Sequence, residues 1–193
     1  MQQAAAFPVP APLASAGTGG FIHPETIVNN FDVREGMKIA DFGCGAGYFT
    51  IILAEKIGPQ GRIYALDIQE SALDNVRAKA RTKNLENIET IRTNLEVVGS
   101  SSLIDQSQDL VLFANILFQS NKDANIIKEG VRVLKTGGEL IIIDWKKGAD
   151  GFGPPDDLRQ DLEDTKQLAV KNGLKLSREF DAGRFHFGLI FKK

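Results

Sequence analysis

Lys38-Ile39-Ala40-Asp41-Phe42-Gly43-Cys44-Gly45-Ala46-Gly47-Tyr48 is the stretch whose reading decides the fold. Its first half, with Ile39, Ala40 and Phe42, reads as a buried strand, and the glycine cluster ends it. Glycines at 43, 45 and 47 let the backbone turn sharply and lie close to a ligand. Tyr48–Ile57 then has helical periodicity, with Phe49, Ile52, Leu53 and Ile57 on one side. Gly58-Pro59-Gln60-Gly61 is a turn and Arg62–Asp67 a second strand. Strand, glycine turn, helix and strand make one βαβ unit.

The same alternation runs outward in both directions. Upstream, Pro24–Phe31 reads as a short helix. Downstream, Glu70–Lys83 is an amphipathic helix bearing Leu73, Val76 and Ala80, and Ile88–Arg92 and Leu110–Ala114 are strands. Lys122–Leu134 reads as a helix stopped by Thr136-Gly137-Gly138, and Glu139–Asp144 as the fifth strand. Asp156–Asn172 is the last helix, with Gly173 just beyond its end. Leu174–Phe180 and Phe185–Phe191 follow, separated by the hairpin-length Asp181-Ala182-Gly183. Five βα units and a terminal hairpin predict an α/β fold with helices on both faces of a seven-stranded sheet. A short hairpin forces its second strand to run antiparallel, so six strands should be parallel and one reversed. Ligands bind such sheets at the carboxyl ends of the parallel strands. The residues to watch follow positions 42, 67, 92, 114 and 144, together with the start of the reversed strand.

Composition narrows the function classes. The chain has 193 residues, 42% hydrophobic and 25% charged, which suits one ordinary domain. A net charge of -2 removes the usual electrostatic case for a protein living on nucleic acid or an anionic membrane. Cys44, the single cysteine, forms no internal disulfide, and a four-cysteine zinc site is impossible. No apolar run approaches the roughly 20 residues that span a bilayer, and no secretory signal pattern opens the chain. These features lead us to expect a reduced, cytoplasmic setting. Residues 1–20 carry no charge, hold Pro8, Pro10 and Pro12, and read as a flexible leader ahead of a domain over 21–193.

Asp67 ends the second strand 20 residues beyond Gly47, where a carboxylate can accept from two ribose hydroxyls. A nucleoside-bearing ligand follows. The dinucleotide fingerprint needs a third glycine where this chain has Tyr48. Asp41 before the loop would repel a pyrophosphate and suit a cation. S-adenosylmethionine carries both a sulfonium and an ammonium, so it fits where NAD does not.

On these residues the chain resembles class I S-adenosylmethionine-dependent methyltransferases over about residues 21–193, in tone nearest those of ubiquinone and menaquinone biosynthesis. Asp41-Phe42-Gly43-Cys44-Gly45-Ala46-Gly47 matches the family's first motif, with Tyr48 following it. Val131-Arg132-Val133-Leu134-Lys135-Thr136-Gly137-Gly138 is similar to the family's R-V-L-K-P-G-G stretch, a structural marker, with Thr136 for the usual Pro. The resemblance implies a Rossmann-like fold with a reversed terminal strand. It implies that Asp67 holds the ribose with Ile68 beside the adenine. It also sets Asn94, in place of the common Asp, and Leu95 around that base. S-adenosylmethionine would be the cofactor and S-adenosylhomocysteine the product. No metal is expected.

The acceptor side is less explicit. Asn115-Ile116-Leu117-Phe118 stands where nucleobase N-methylating enzymes carry Asn/Asp-Pro-Pro-Tyr/Phe, and both prolines are missing. Asn115 then lines the pocket or satisfies backbone at a strand end. His186, at the start of the reversed strand, lies at the carboxyl edge. It is either a general base for the acceptor or a structural strand histidine. Trp145 is an aromatic wall or a core residue. Phe152-Gly153-Pro154-Pro155 is a lid hinge or a helix lead-in. The expected activity is methyl transfer to a small molecule by a monomer or homodimer, without membrane and without nucleic acid. The alternatives are an RNA or protein methyltransferase of the same fold, a cofactor-binding protein without transferase activity, and a NAD-dependent reductase disfavoured by the glycine spacing.

Overall fold

Period-two alternation in strands buried on both faces builds two core layers at once. The computed structural model describes residues 22–120, 123–149 and 151–193. The expected leader and the expected helix start at Lys122 lie outside the described residues. Two short turns of helix come first, α1 (Pro24–Ile27) and a 3-10 turn at Val28–Asn30. Then follow β1 (Lys38–Phe42), α2 (Tyr48–Ile57), β2 (Arg62–Asp67), α3 (Glu70–Thr82), β3 (Ile88–Arg92) and β4 (Gln108–Ala114). The chain continues through α4 (Asp123–Val133), β5 (Leu134–Trp145), α5 (Leu162–Lys171), β6 (Lys175–Asp181) and β7 (His186–Lys192).

The strands form one seven-stranded sheet in the order β3-β2-β1-β4-β5-β7-β6. All pairings are parallel except those of β7, which runs antiparallel to both β5 and β6. The six-parallel, one-reversed expectation is met. On one face, Ile39 of β1 and Leu110 and Leu112 of β4 pack with Ile27 and Val28 near α1 and with Leu53 and Ile57 of α2. On the other face, Ala40, Phe42, Val111 and Phe113 pack with Ile126 and Ile127 of α4 and Ala169 of α5. Each such buried Leu, Ile, Val or Phe side chain contributes roughly 1.5–3 kcal/mol of transfer free energy. The strand order reverses at β1, so the turns after β1, β2 and β4 lie side by side.

The fifth strand, expected over Glu139–Asp144, starts at Leu134 and takes in Thr136-Gly137-Gly138, and two further expectations need correction. The connection from β3 to β4 carries no helix, so one of the five βα units is missing. Glu129 of α4 takes the helix's place as its anchor. It is fully buried and accepts from the Gly99 amide at 2.6 Å, the Ser101 amide at 3.2 Å and the Ser101 hydroxyl. Arg132 completes the cluster with Nη2 2.7 Å from Glu129 Oε1. The second correction concerns the last helix. It is split into a 3-10 turn at Asp156–Leu158 and α5, because Asp161 caps α5 by accepting from the amides of Glu163 and Asp164.

Burial opposes the charge on Glu129, but hydrogen bonds from Arg132, Ser101 and Gly99 outweigh it and hold the carboxyl at about 2. A depressed folded value means stabilisation present above the ordinary glutamate range and lost as pH falls through the folded value. Glu129→Gln is therefore expected to lose on the order of 3 kcal/mol at neutral pH, with the gap to wild type closing as pH drops towards the folded value. Urea unfolding across that range measures it. A gap that stays constant with pH contradicts the assignment.

Candidate cofactor and acceptor site

The glycine loop is built by left-handed backbone at three alternate positions. Gly43, Gly45 and Gly47 have φ of +71°, +50° and +77°. The amides of Gly43 and Cys44 both donate to the Leu66 carbonyl, at 2.8 and 3.0 Å, which folds the loop against the end of β2. A Cβ on Gly43 would meet Ile116 Cδ1, and one on Gly47 would meet Val76 Cγ2, each at 2.7 Å. These two glycines permit close packing on the turn after β4 and on α3. At Gly45 a Cβ would meet nothing within 4 Å. The backbone there borders open space, as a ligand lying on the loop requires.

Asp67 bridges the loop and the end of its own strand. Its Oδ2 accepts from the Gly45 amide and its Oδ1 from the Gln69 amide, both at 2.9 Å. Each carboxylate oxygen keeps a further acceptor site, so the pair can also receive two ribose hydroxyls. Beside it, Ile68 is 56% exposed, an apolar surface on the same rim. Lys79 of α3 reaches the Ala46 carbonyl at 2.7 Å and lies 4.0 Å over the exposed Tyr48 ring, pinning the loop from outside.

After β4, Asn115 sits at φ +57°, a conformation that Asn tolerates better than most side chains. Its Oδ1 is buried with no hydrogen-bond partner among the described residues. The register of Ala114 against Ile143 puts Asp144 beside this turn. Asp144 is fully buried; its Oδ2 accepts from the Leu117 amide at 3.0 Å and its Oδ1 from the Trp145 amide at 2.8 Å. Burial pushes its carboxyl up to about 7 against those hydrogen bonds. The side chain thus clamps the turn that carries Asn115.

A glycine loop, an acid ending the second strand and a clamped turn after the fourth meet at one edge. A profile described as "Methyltransferase domain" matches residues 33–181. The chain belongs to the methyltransferase domain family. It is 34% identical over 112 residues to a demethylmenaquinone methyltransferase of Listeria welshimeri, a match that covers 58% of this chain and 46% of that protein. The chain spans about half the length of the curated relatives it matches. A SAM dependent methyltransferase from Aquifex aeolicus superposes with a TM-score of 0.80 at 27% identity, covering 88% of this chain and 89% of the other. A protein assigned to the type 11 methyltransferases of Sulfolobus solfataricus is 31% identical, with a TM-score of 0.72 and coverage of 89% and 92%.

Within this methyltransferase domain the residues singled out from sequence fall into two groups. Gly43, Gly45, Gly47, Tyr48, Asp67, Ile68, Asn94 and Asn115 gather at the carboxyl edge, with the Asn94 side chain engaged by the Glu96 amide at 3.0 Å. Phe42, Cys44 and Leu95 point into the core. Phe42 packs on Phe113 with the rings tilted and 5.4 Å between centroids, and Cys44 packs with Ala65, Leu73 and Val76. Strand alternation and the tight loop turn these side chains inward, so any part they take in binding is through backbone. Asp41 also lies beneath the loop, 2% exposed, with Oδ2 accepting from the Thr50 hydroxyl at 2.5 Å. Burial pushes it up to about 6.

His186 pairs with Trp145 across β7 and β5, with ring centroids 4.0 Å apart. It is 1% exposed, and burial together with the charges of Lys146 and Arg159 pushes it down to about 4. Trp145, at 9% exposure, is packed rather than presented as an open wall. A groove of about 840 Å³ exists at the opposite edge, between the 58–61 and 84–87 turns, and none of the site residues lines it. Among the described residues no helix is long and apolar enough to cross a membrane. Sequence reasoning missed the anchoring roles of Lys79 and Glu129. Each is a charged side chain in a helical pattern, where a solvated position is the ordinary reading.

Proposed function

We propose that this chain transfers the methyl group of S-adenosylmethionine to a small-molecule acceptor at the carboxyl edge of β1, β2, β4 and β5. The observation that carries the reading is the open space at Gly45, bordered by an amide that Asp67 holds in place. Asp67 takes the ribose hydroxyls, while Ile68 and Asn94 flank the adenine. Gly43, Gly45 and Gly47 let the backbone lie along the methionine arm, and Tyr48 borders its entrance. Asp41 favours the cationic end through its negative field. Asn115 offers its unpartnered Oδ1 to the cofactor or the acceptor.

When bound, S-adenosylmethionine supplies a methyl carbon already activated by positive sulfur. The protein's task is alignment and exclusion of water, which needs no catalytic triad. The demethylmenaquinone methyltransferases among its relatives favour a small acceptor, and the net charge of -2 argues against nucleic acid. A buried single cysteine agrees with a reduced, cytoplasmic setting.

The lowered value of His186 changes what is expected of it. An imidazole held neutral at pH 7 is a weak base but a serviceable hydrogen-bond partner for an acceptor. His186→Ala should lower turnover about a hundredfold by misplacing the acceptor. His186→Gln should recover most of that loss, and cofactor affinity should hold steady in both. Single-turnover methyl transfer over a panel of acceptors measures this. Equal losses in the two variants would assign proton transfer to His186 instead. Tight cofactor binding with no transfer to any acceptor would leave a binding protein.

A further inference from the structure

Arg159 is a buried arginine, 8% exposed, whose side-chain hydrogen bonds among the described residues run to backbone carbonyls. Nε donates to Pro154 at 2.9 Å and Nη2 to Phe152 at 2.7 Å, while Nη1 donates to Lys146 at 3.2 Å and to Ala149. One planar fork thus gathers both limbs of the segment between β5 and α5. The same guanidinium stands 5.8 Å from the Trp145 ring. Gly153, at φ +103°, lies so close to that ring that an added Cβ would collide with it. Beneath Trp145 lies His186, with neither ring nitrogen partnered among the described residues. Native interiors rarely leave such groups unmade, since each costs about 1–3 kcal/mol. A buried imidazole with neither nitrogen partnered by the described residues calls for a polar partner, an ordered water or a group of another molecule.

We propose that Arg159 is the positioning residue of the acceptor side, holding residues 151–154 as a cover over Trp145 and His186 that lifts to admit the acceptor to the imidazole. The word acceptor rests on the methyltransferase reading above; the cover does not. Arginine suits the task because its rigid fork serves several carbonyls at once, which the single ammonium of lysine does not.

Trp145 is the only tryptophan, so its fluorescence reports on the cover without any ligand. In the full chain, acrylamide quenching of Trp145 should rise severalfold in Arg159→Ala, with a red-shifted emission. Gly153→Ala should do the same by steric displacement while leaving the guanidinium in place. Circular dichroism checks that both variants remain folded. Millimolar guanidinium should return Arg159→Ala, but not Gly153→Ala, to low quenching. In turnover assays both variants should change KM for the acceptor, with S-adenosylhomocysteine affinity within twofold of wild type. Wild-type quenching in either folded variant, or no rescue by guanidinium, overturns the cover. Normal fluorescence responses in a protein that transfers no methyl group would overturn the acceptor's part and leave the cover supported.

Discussion

Gly45→Val is expected to weaken S-adenosylhomocysteine binding by more than about a hundredfold while the protein stays folded. The Cβ of residue 45 would meet no protein atom within 4 Å, so the new side chain has room in the free protein. Its backbone cost is about 1–3 kcal/mol for a β-branched side chain in left-handed backbone. The room it fills is the space over the loop, so the loss falls on the ligand. Gly47→Val supplies the contrast. There the side chain would strike Val76 at 2.7 Å, and destabilisation should dominate. Thermal unfolding and calorimetric titration of the two variants separate the effects. Undiminished binding by a folded Gly45→Val protein would reduce the loop to a tight turn.

Asp67→Ala should cost about 2–4 kcal/mol of cofactor affinity, the range expected for two charge-assisted hydrogen bonds. Its carboxylate also holds the Gly45 amide at 2.9 Å, so the substitution loosens the loop as well as removing the ribose acceptors. Asp67→Asn keeps one acceptor oxygen and should fall between wild type and alanine. An unchanged dissociation constant in Asp67→Ala would mean that the second strand does not end at a ribose.

What could be read from the sequence was what local rules decide. The three glycines turn the chain sharply, as read, and do so on left-handed backbone; β2 ends on Asp67 as read. The reversed strand follows from a linker too short for a crossover. Contacts between distant segments were not legible. Glu129 looks like any solvated helix acid until the connection after β3 folds onto it. Arg159 falls inside a plausible helix pattern, and only the carbonyls of Lys146, Ala149, Phe152 and Pro154 reveal its work. The placement of His186 at the carboxyl edge was readable, but its burial was not. Phe185, His186 and Phe187 are all buried, since β7 has neighbours on both sides and layers on both faces. Alternation tells which face a side chain takes and says nothing about what covers that face.

We expect the edge around Gly45 and Asp67 to take an adenosyl sulfonium cofactor and not a dinucleotide. Isothermal titration of the purified protein with S-adenosylhomocysteine and, separately, with NAD puts it to the test. Saturable micromolar-range binding of S-adenosylhomocysteine and no heat with NAD are the expected results. Equal or tighter binding of NAD, or no binding of S-adenosylhomocysteine by folded protein, would contradict it.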